Sequence, residues 1–435
     1  MIQRPSRRGP SRRDIVKTTA GLTASGALSL RYGALAHAGQ PAGLDHRAFP
    51  AIDSVLRAAT RAGEVPGVVA LAATPDGIFY EGIFGSRRLR DGPAMTRDTV
   101  FRVASMVKLI TSVAALQLVE QNKLSLDAPV PDIAPAVASP QVLEGFDAKG
   151  LPRLRPAKRP ITLRHLLTHT SGFAYRLWDA KAVHYAESIE HLPPAQRGAA
   201  PRAPLMFDPG ERWQYGGSID WVGRIVEFVS GDALDVYFRK NILDPLGMND
   251  TAFVISPRQR EREATAHRRG PGGSLTPEPT EQRSTPRSFS GGGGIYSTAP
   301  DYLTLIRTLL RGGTLDGVRV LGPDTVSLMG QNQIGNIDVG VLKTTAPALS
   351  NDVDLLPGIG LKWGFGHMIN MQPVAGGRSA GSLTWGGLFN TYYWIDPGKR
   401  VAAVFMTQVL PFADIPALRL YRQFERGIYS VINAG

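Results

Sequence analysis

The hydrophobic pattern predicts an α/β fold, with one sheet built from both ends of the chain around a helical insertion. Three observations carry this. An amphipathic helix and a hairpin pattern open the ordered sequence. Apolar helical segments then dominate to about residue 250, and strands alternate with helices from there to the C-terminus. A length of 435 residues fits several small domains or one large two-part domain.

The elements follow in order. Residues 45–63 carry apolar side chains at helical spacing. Gly67–Thr74 and Gly77–Phe84 flank Pro75-Asp76 and read as a β-hairpin. Phe101-Arg102-Val103-Ala104 leads into Ser105-Met106-Val107-Lys108, and Leu109–Leu116 continues as an apolar helix. A polar, glycine-rich break at Gln214–Ser218 precedes the helical pattern Trp221–Val229. From Ser382 the chain reads as one strand up to a turn at Asp396-Pro397-Gly398, with a second strand at Val401–Met406. The helix Ala417–Val431 closes the chain. The segments Phe173–Pro209 and Pro257–Ser288 are candidate pocket walls; the second is basic and lacks periodicity, so it reads as a surface loop.

Composition excludes several classes. Hydrophobic residues make up 43% and charged residues 20%, as in globular proteins. With no cysteine, disulfides, thiolate nucleophiles and cysteine-ligated metals are ruled out. No basic run with interleaved aromatics points to nucleic acid.

The strongest chemical signal is Ser105-x-x-Lys108. Residues three apart share a helix face, so the lysine amine can reach the serine hydroxyl. Burial disfavours a charged lysine, and a free amine can help remove a hydroxyl proton. Tyr215 stands in the break before a helix, where a phenol beside a lysine could relay that proton to a leaving group. In Trp385-Gly386-Gly387-Leu388, paired glycines mark a close approach that could turn the Leu388 amide into a site.

Ser-x-x-Lys, a loop tyrosine and an aromatic-Gly-Gly strand, in that order, resemble the serine β-lactamase/penicillin-binding-protein superfamily. Within it, the chain is most similar to the class C-related (family VIII) carboxylesterases. Val65–Val69, Leu166–Gly172, Pro245–Met248 and Gly293–Tyr302 also match that group, and the resemblance runs from about residue 45 to the C-terminus. It implies an antiparallel sheet flanked by helices, with an inserted all-helical subdomain. The α/β part would span about 45–110 and 290–435, and the helical part 111–289. It further implies Ser105 as the acylated nucleophile, Lys108 as its activating partner and Tyr215 as proton shuttle. The backbone amides of Ser105 and Leu388 would form the oxyanion hole. Trp385, Gly386 and Gly387 would contact substrate, and no cofactor or metal is required.

Two departures from class C β-lactamases shape the expected substrate. Gly217 stands where their Tyr-x-Asn has asparagine, and Trp385-Gly386-Gly387 replaces Lys-Thr-Gly. An indole in place of a cation removes a charge-assisted carboxylate anchor and supplies an apolar wall. The expectation is a serine hydrolase that cleaves carboxylic esters and prefers neutral, fairly hydrophobic acyl groups, its partner a small-molecule ester or amide substrate. The alternatives are a β-lactamase or D,D-peptidase, an acyltransferase, and a non-catalytic penicillin-recognising protein.

Other signals carry less. Gly377-Arg378-Ser379-Ala380-Gly381 fits a G-x-S-x-G pattern, but a strand follows where that motif needs a helix. His165 and His169 stand four apart without the glutamate and third ligand of a metal site, and read as structural. Gly291–Gly294 lacks the end of a phosphate loop and reads as a tight approach to the core sheet. Asp220 reads as a helix cap.

At the N-terminus, Ser11-Arg12-Arg13-Asp14-Ile15-Val16-Lys17 resembles a twin-arginine signal. A mildly apolar stretch to Leu30 follows, then a cleavage site at Ala36-His37-Ala38. The stretch is too short for a stable membrane span. Residues 1–38 hold seven Lys and Arg and one acidic residue, so they supply +6 of the net +12. The expectation is a mature chain of residues 39–435, periplasmic or secreted, carried by the twin-arginine export machinery.

Overall fold

The computed structural model describes residues 49–130, 135–192, 203–279 and 288–433. The export signal and the boundary at residue 38 lie outside them.

Helix α1, Pro50–Arg61, begins on a proline and buries Ile52, Leu56 and Ala59 at helical spacing. Strands β1, Gly67–Ala73, and β2, Ile78–Gly85, form the hairpin. Helix α2, Val107–Glu120, is buried from Val107 to Leu118, as befits a helix apolar on all sides. It packs against α3, Ser218–Ser230.

The single strand read from Ser382 to the turn is in fact a pair. After the short strands β3, Leu361–Trp363, and β4, Met368–Asn370, come β5, Leu383–Gly387, and β6, Thr391–Asp396. The chain reverses at Leu388-Phe389-Asn390, where Asn390 takes φ +59° and its N–H donates to the Gly387 carbonyl. Strand β7, Val401–Met406, joins β6 to β1. The result is a seven-stranded antiparallel sheet in the order β3-β4-β5-β6-β7-β1-β2.

Both faces of the sheet are covered. Along β6, successive side chains point to opposite sides. Tyr393 meets Tyr302 of helix α4, Ala299–Leu310, on one face. Tyr392 stacks on Tyr421 of α5, Ile415–Ile432, on the other. Under α5 lies a buried ion pair: the Arg378 guanidinium donates to both Glu425 carboxylate oxygens at 2.7 Å and to the Tyr421 hydroxyl at 2.8 Å.

Two segments depart from expectation. The helical part contains a hairpin, Gln141–Phe146 against Pro152–Pro156. Its turn closes on the Asp147 carboxylate, which accepts from the Lys149 and Leu151 amides. The basic stretch after Pro257 is not a loop in its described portion. His267–Arg269 pairs with Leu275–Pro277 and, in parallel, with Val409–Leu410. Its arginines are held by carboxylates: Arg262 by Asp250, Arg268 by Glu278, and Arg269 by Asp414. Among the described residues no helix is long and apolar enough to cross a membrane.

Candidate active site

The site is assembled where the N-terminus of α2 meets the end of β5. A 3₁₀ turn, Ala104–Met106, precedes α2 and carries Ser105. Ala104 adopts φ +43°, a left-handed conformation that costs a non-glycine residue about 1–3 kcal/mol and is characteristic of functional sites. The Tyr302 hydroxyl donates to the Met106 carbonyl at 3.0 Å, tying the turn to α4. Lys108 lies in the first turn of α2 and is only 2% exposed. Its Nζ sits 3.3 Å from Ser105 Oγ, 2.6 Å from the Gly292 carbonyl oxygen and 3.4 Å from Tyr175 Oη.

Tyr215 is buried beside them, with Lys108 Nζ 4.9 Å from its ring centroid. Its hydroxyl oxygen accepts from Trp385 Nε1 at 3.0 Å, leaving its own proton free for donation. Trp213 stacks on this phenol, and Trp363 and Trp385 pack against it at a tilt. His169 packs under it at 4.6 Å and accepts from the Gly216 amide through Nδ1. Burial holds the His169 imidazole well below its ordinary pKa, so it is neutral. It leaves the helix of His165 (Leu163–Leu167), and φ +58° at His169 takes it off any shared helix face. Among the described residues no group of three or more His, Asp or Glu side chains is disposed to hold a metal ion.

The strand side fits closely. A methyl group at Gly387 would lie 2.2 Å from the Val103 carbonyl oxygen, so glycine there lets β5 abut the segment leading to Ser105. Among the described residues, the Ser105 and Leu388 amides donate to no backbone carbonyl outside the regular elements. Trp385 and Gly387 share the site face of β5. Gly386 faces the other way, opposite Tyr392.

Three features were not anticipated from sequence. Asp220 is not the cap of α3; Gly217 holds that position. The Asp220 carboxylate instead accepts from Tyr175 Oη at 2.9 Å, from the Gly292 amide at 3.2 Å and from Ser290. Gly291 and Gly292 approach α2 and α3 rather than the sheet, with Thr111 donating to the Gly291 carbonyl. Tyr175, three residues past the Leu166–Gly172 match, is the phenol directly within reach of Lys108 Nζ. Ser379 stays remote from this cluster, its amide donating to Asp396.

A cavity of ≈ 220 Å³ adjoins the cluster and shares Trp385 and Trp213 with it. Val341, Leu342, Leu355 and Leu356 belong to its apolar wall, with Asp354 as the one ionisable side chain lining it. Among the described residues neither expected wall segment lines it: Phe173–Pro209 contributes Tyr175 to the site instead, and the described part of Pro257–Ser288 forms a short helix, Pro257–Arg260, and strands of the small sheet.

A sheet of this topology, with Ser-x-x-Lys at a buried helix start beside two tyrosines, defines a serine acyl-transfer enzyme of the penicillin-recognising fold. The chain belongs to the beta-lactamase family, whose model matches residues 52–427. A methylbutanoyltransferase acting on ML-236A carboxylate, from Penicillium citrinum, is 33% identical over 88% of this chain and 94% of its own. Lovastatin esterase of Penicillium rubens is 32% identical over 88% of this chain and 99% of its own. Unliganded simvastatin synthase (LovD) from Aspergillus terreus superposes with a TM-score of 0.77 at 31% identity, covering 89% of this chain and 99% of that one. The protein is thus an enzyme of the serine hydrolase/acyltransferase branch of this superfamily.

Proposed function

We propose that the enzyme cleaves neutral carboxylic esters through an acyl-enzyme on Ser105. The observation that carries this reading is the buried Lys108 Nζ, 3.3 Å from Ser105 Oγ, with the Tyr215 phenol beside it. As Ser105 Oγ attacks the ester carbonyl carbon, its proton passes to Lys108. The amides of Ser105 and Leu388 receive the oxyanion; one such donor contributes about 3–4 kcal/mol to the transition state. Tyr215 protonates the departing alkoxide and takes the proton held by Lys108 in return, the carbon–oxygen bond breaks, and the acyl group remains on Ser105. Water then attacks the acyl-enzyme by the reverse proton path.

Two observations favour neutral, apolar substrates. Trp385 occupies the position of a carboxylate-binding lysine, and its indole N–H is already given to Tyr215. The adjoining cavity is larger than the ~150 Å³ apolar cavity that admits benzene. It offers no cation to an anionic group.

The names of the relatives favour a second reading, in which an alcohol replaces water as acyl acceptor. Steady-state hydrolysis of p-nitrophenyl esters, run beside nitrocefin and with added alcohols, separates the possibilities. Ester turnover lost in Ser105→Ala, with little nitrocefin cleavage, supports the esterase. Product partitioning toward a new ester marks the transferase. Turnover surviving in Ser105→Ala refutes the acyl-enzyme. We also propose export of the mature chain by the twin-arginine route, on the strength of Arg12-Arg13 and the cleavage site after Ala38.

A further inference from the structure

We propose that Tyr175 and Asp220 are positioning residues that aim the lone pair of Lys108 at the Ser105 hydroxyl. This rests on the acyl-enzyme reading above and adds how its base is oriented.

A lysine ammonium has three N–H groups and nothing to accept with, whereas the free amine has two N–H groups and one lone pair. Three oxygens surround Lys108 Nζ: the Gly292 carbonyl, Tyr175 Oη and Ser105 Oγ. The carbonyl carries no hydrogen, so it takes an N–H. Tyr175 has a single proton, and Asp220 Oδ2 claims it at 2.9 Å. An ionised carboxylate accepts only, so the Tyr175 oxygen turns a lone pair toward Lys108 and takes the second N–H. The one direction left to the amine lone pair is Ser105 Oγ.

The surroundings hold this arrangement in place. Burial, then the Asp220 charge, push the Tyr175 phenol well above its ordinary pKa, so it keeps its proton. Asp220 is fixed by the Gly292 amide and Ser290. A methyl group at Gly292 would lie 2.8 Å from both Tyr175 Oη and Asp220 Oδ2, so only glycine lets the three close together. The other titratable groups facing Lys108 are Tyr215, through its ring, and the neutral His169.

In the reaction the lone pair removes the Ser105 proton as Oγ bonds to the carbonyl carbon. Lys108 becomes an ammonium with all three N–H groups accepted, and it passes one proton to Tyr215 as Tyr215 protonates the departing alkoxide.

The test is a cycle of Tyr175→Phe, Asp220→Asn and the double variant. Tyr175→Phe removes one acceptor, so kcat should fall about five- to tenfold with KM nearly constant. Asp220→Asn replaces an acceptor with an amide that can donate to Tyr175. The tyrosine proton then turns onto the lysine lone pair, and kcat should fall about 100-fold or more. Adding Tyr175→Phe to Asp220→Asn removes that proton and should bring activity back up to the Tyr175→Phe level. Asp220→Glu, which keeps an acceptor, should retain more activity than Asp220→Asn. Fluorophosphonate labelling of Ser105 counts intact sites in each preparation and corrects for misfolded protein. If Ser105→Ala is dead but Asp220→Asn is no worse than Tyr175→Phe, the positioning role is overturned while the acyl-enzyme stands. A double variant weaker than Asp220→Asn overturns it equally. If Ser105→Ala stays active, the acyl-enzyme reading itself has failed.

Discussion

Replacing Trp385 by phenylalanine isolates the one hydrogen bond that prepares Tyr215. The indole N–H lies 3.0 Å from a phenol that is 1% exposed, so its removal takes away a buried acceptor's partner. Leaving a buried acceptor unpaired costs about 1–3 kcal/mol, which predicts a fall in kcat of about 5- to 150-fold if the bond matters most as the phenol gives up its proton. The smaller ring also vacates roughly 40 Å³, about 1 kcal/mol of stability at 24 cal/mol per Å³. That loss shows in Tm and is separable from the kinetic effect. The assay compares p-nitrophenyl butyrate, whose leaving group departs with little proton assistance, against ethyl butyrate, whose leaving group needs it. The ethyl ester should suffer at least several-fold more. An equal loss on both esters would mean that Trp385 serves binding or folding alone, and the argument for Tyr215 as leaving-group acid would be refuted.

Three further outcomes are expected. Leu356→Trp fills the cavity, so kcat/KM for esters with long or branched acyl chains should fall about tenfold or more while p-nitrophenyl acetate changes little, read from a chain-length series. Glu425→Gln breaks the pair buried under α5 and should cost about 3–5 kcal/mol, or about 4–6 °C in Tm for a unit of some 390 residues, with activity per folded molecule preserved. Glu425 also carries a pH signature: burial raises its pKa, but the Arg378 charge and hydrogen bonds outweigh this and the net shift is downward. Its contribution is therefore complete above the unfolded value of about 4.3 and disappears as pH falls through the folded one, so native and variant melting curves should start to converge below the unfolded value and meet only under the folded one. Lastly, Arg12→Lys with Arg13→Lys should retain the protein in the cytoplasm, as fractionation of expressing cells would show.

What could be read in the sequence was what is local. Ser105 and Lys108 are three residues apart across the 3₁₀ turn that opens α2, and the β1–β2 hairpin is marked by its own Pro-Asp turn. The Gly386-Gly387 pair announced a close approach, and the structure supplies its object in Val103. Long-range partnerships left no such trace. Tyr175 meets Lys108 from 67 residues away and Asp220 from 45, and nothing local distinguishes it from any loop tyrosine. The hairpin at 141–156 was disguised by Pro152 and Pro156 at the two ends of its second strand. The reversal at Asn390 has neither glycine nor proline at its tip, so two strands read as one. The arginines after residue 257 looked like a solvated basic loop because their carboxylate partners are scattered from Asp250 to Asp414.

The site draws Ser105, Tyr175, Tyr215, Gly292 and Trp385 from five separate stretches spanning about two thirds of the chain, and the sheet that sets them closes only when β7 reaches β1. Turnover is therefore a clock for the completion of folding. Loop closures of this length are the slowest to form. During refolding, helical signal should return well before the first product, and the interval between them times the docking of the last strands.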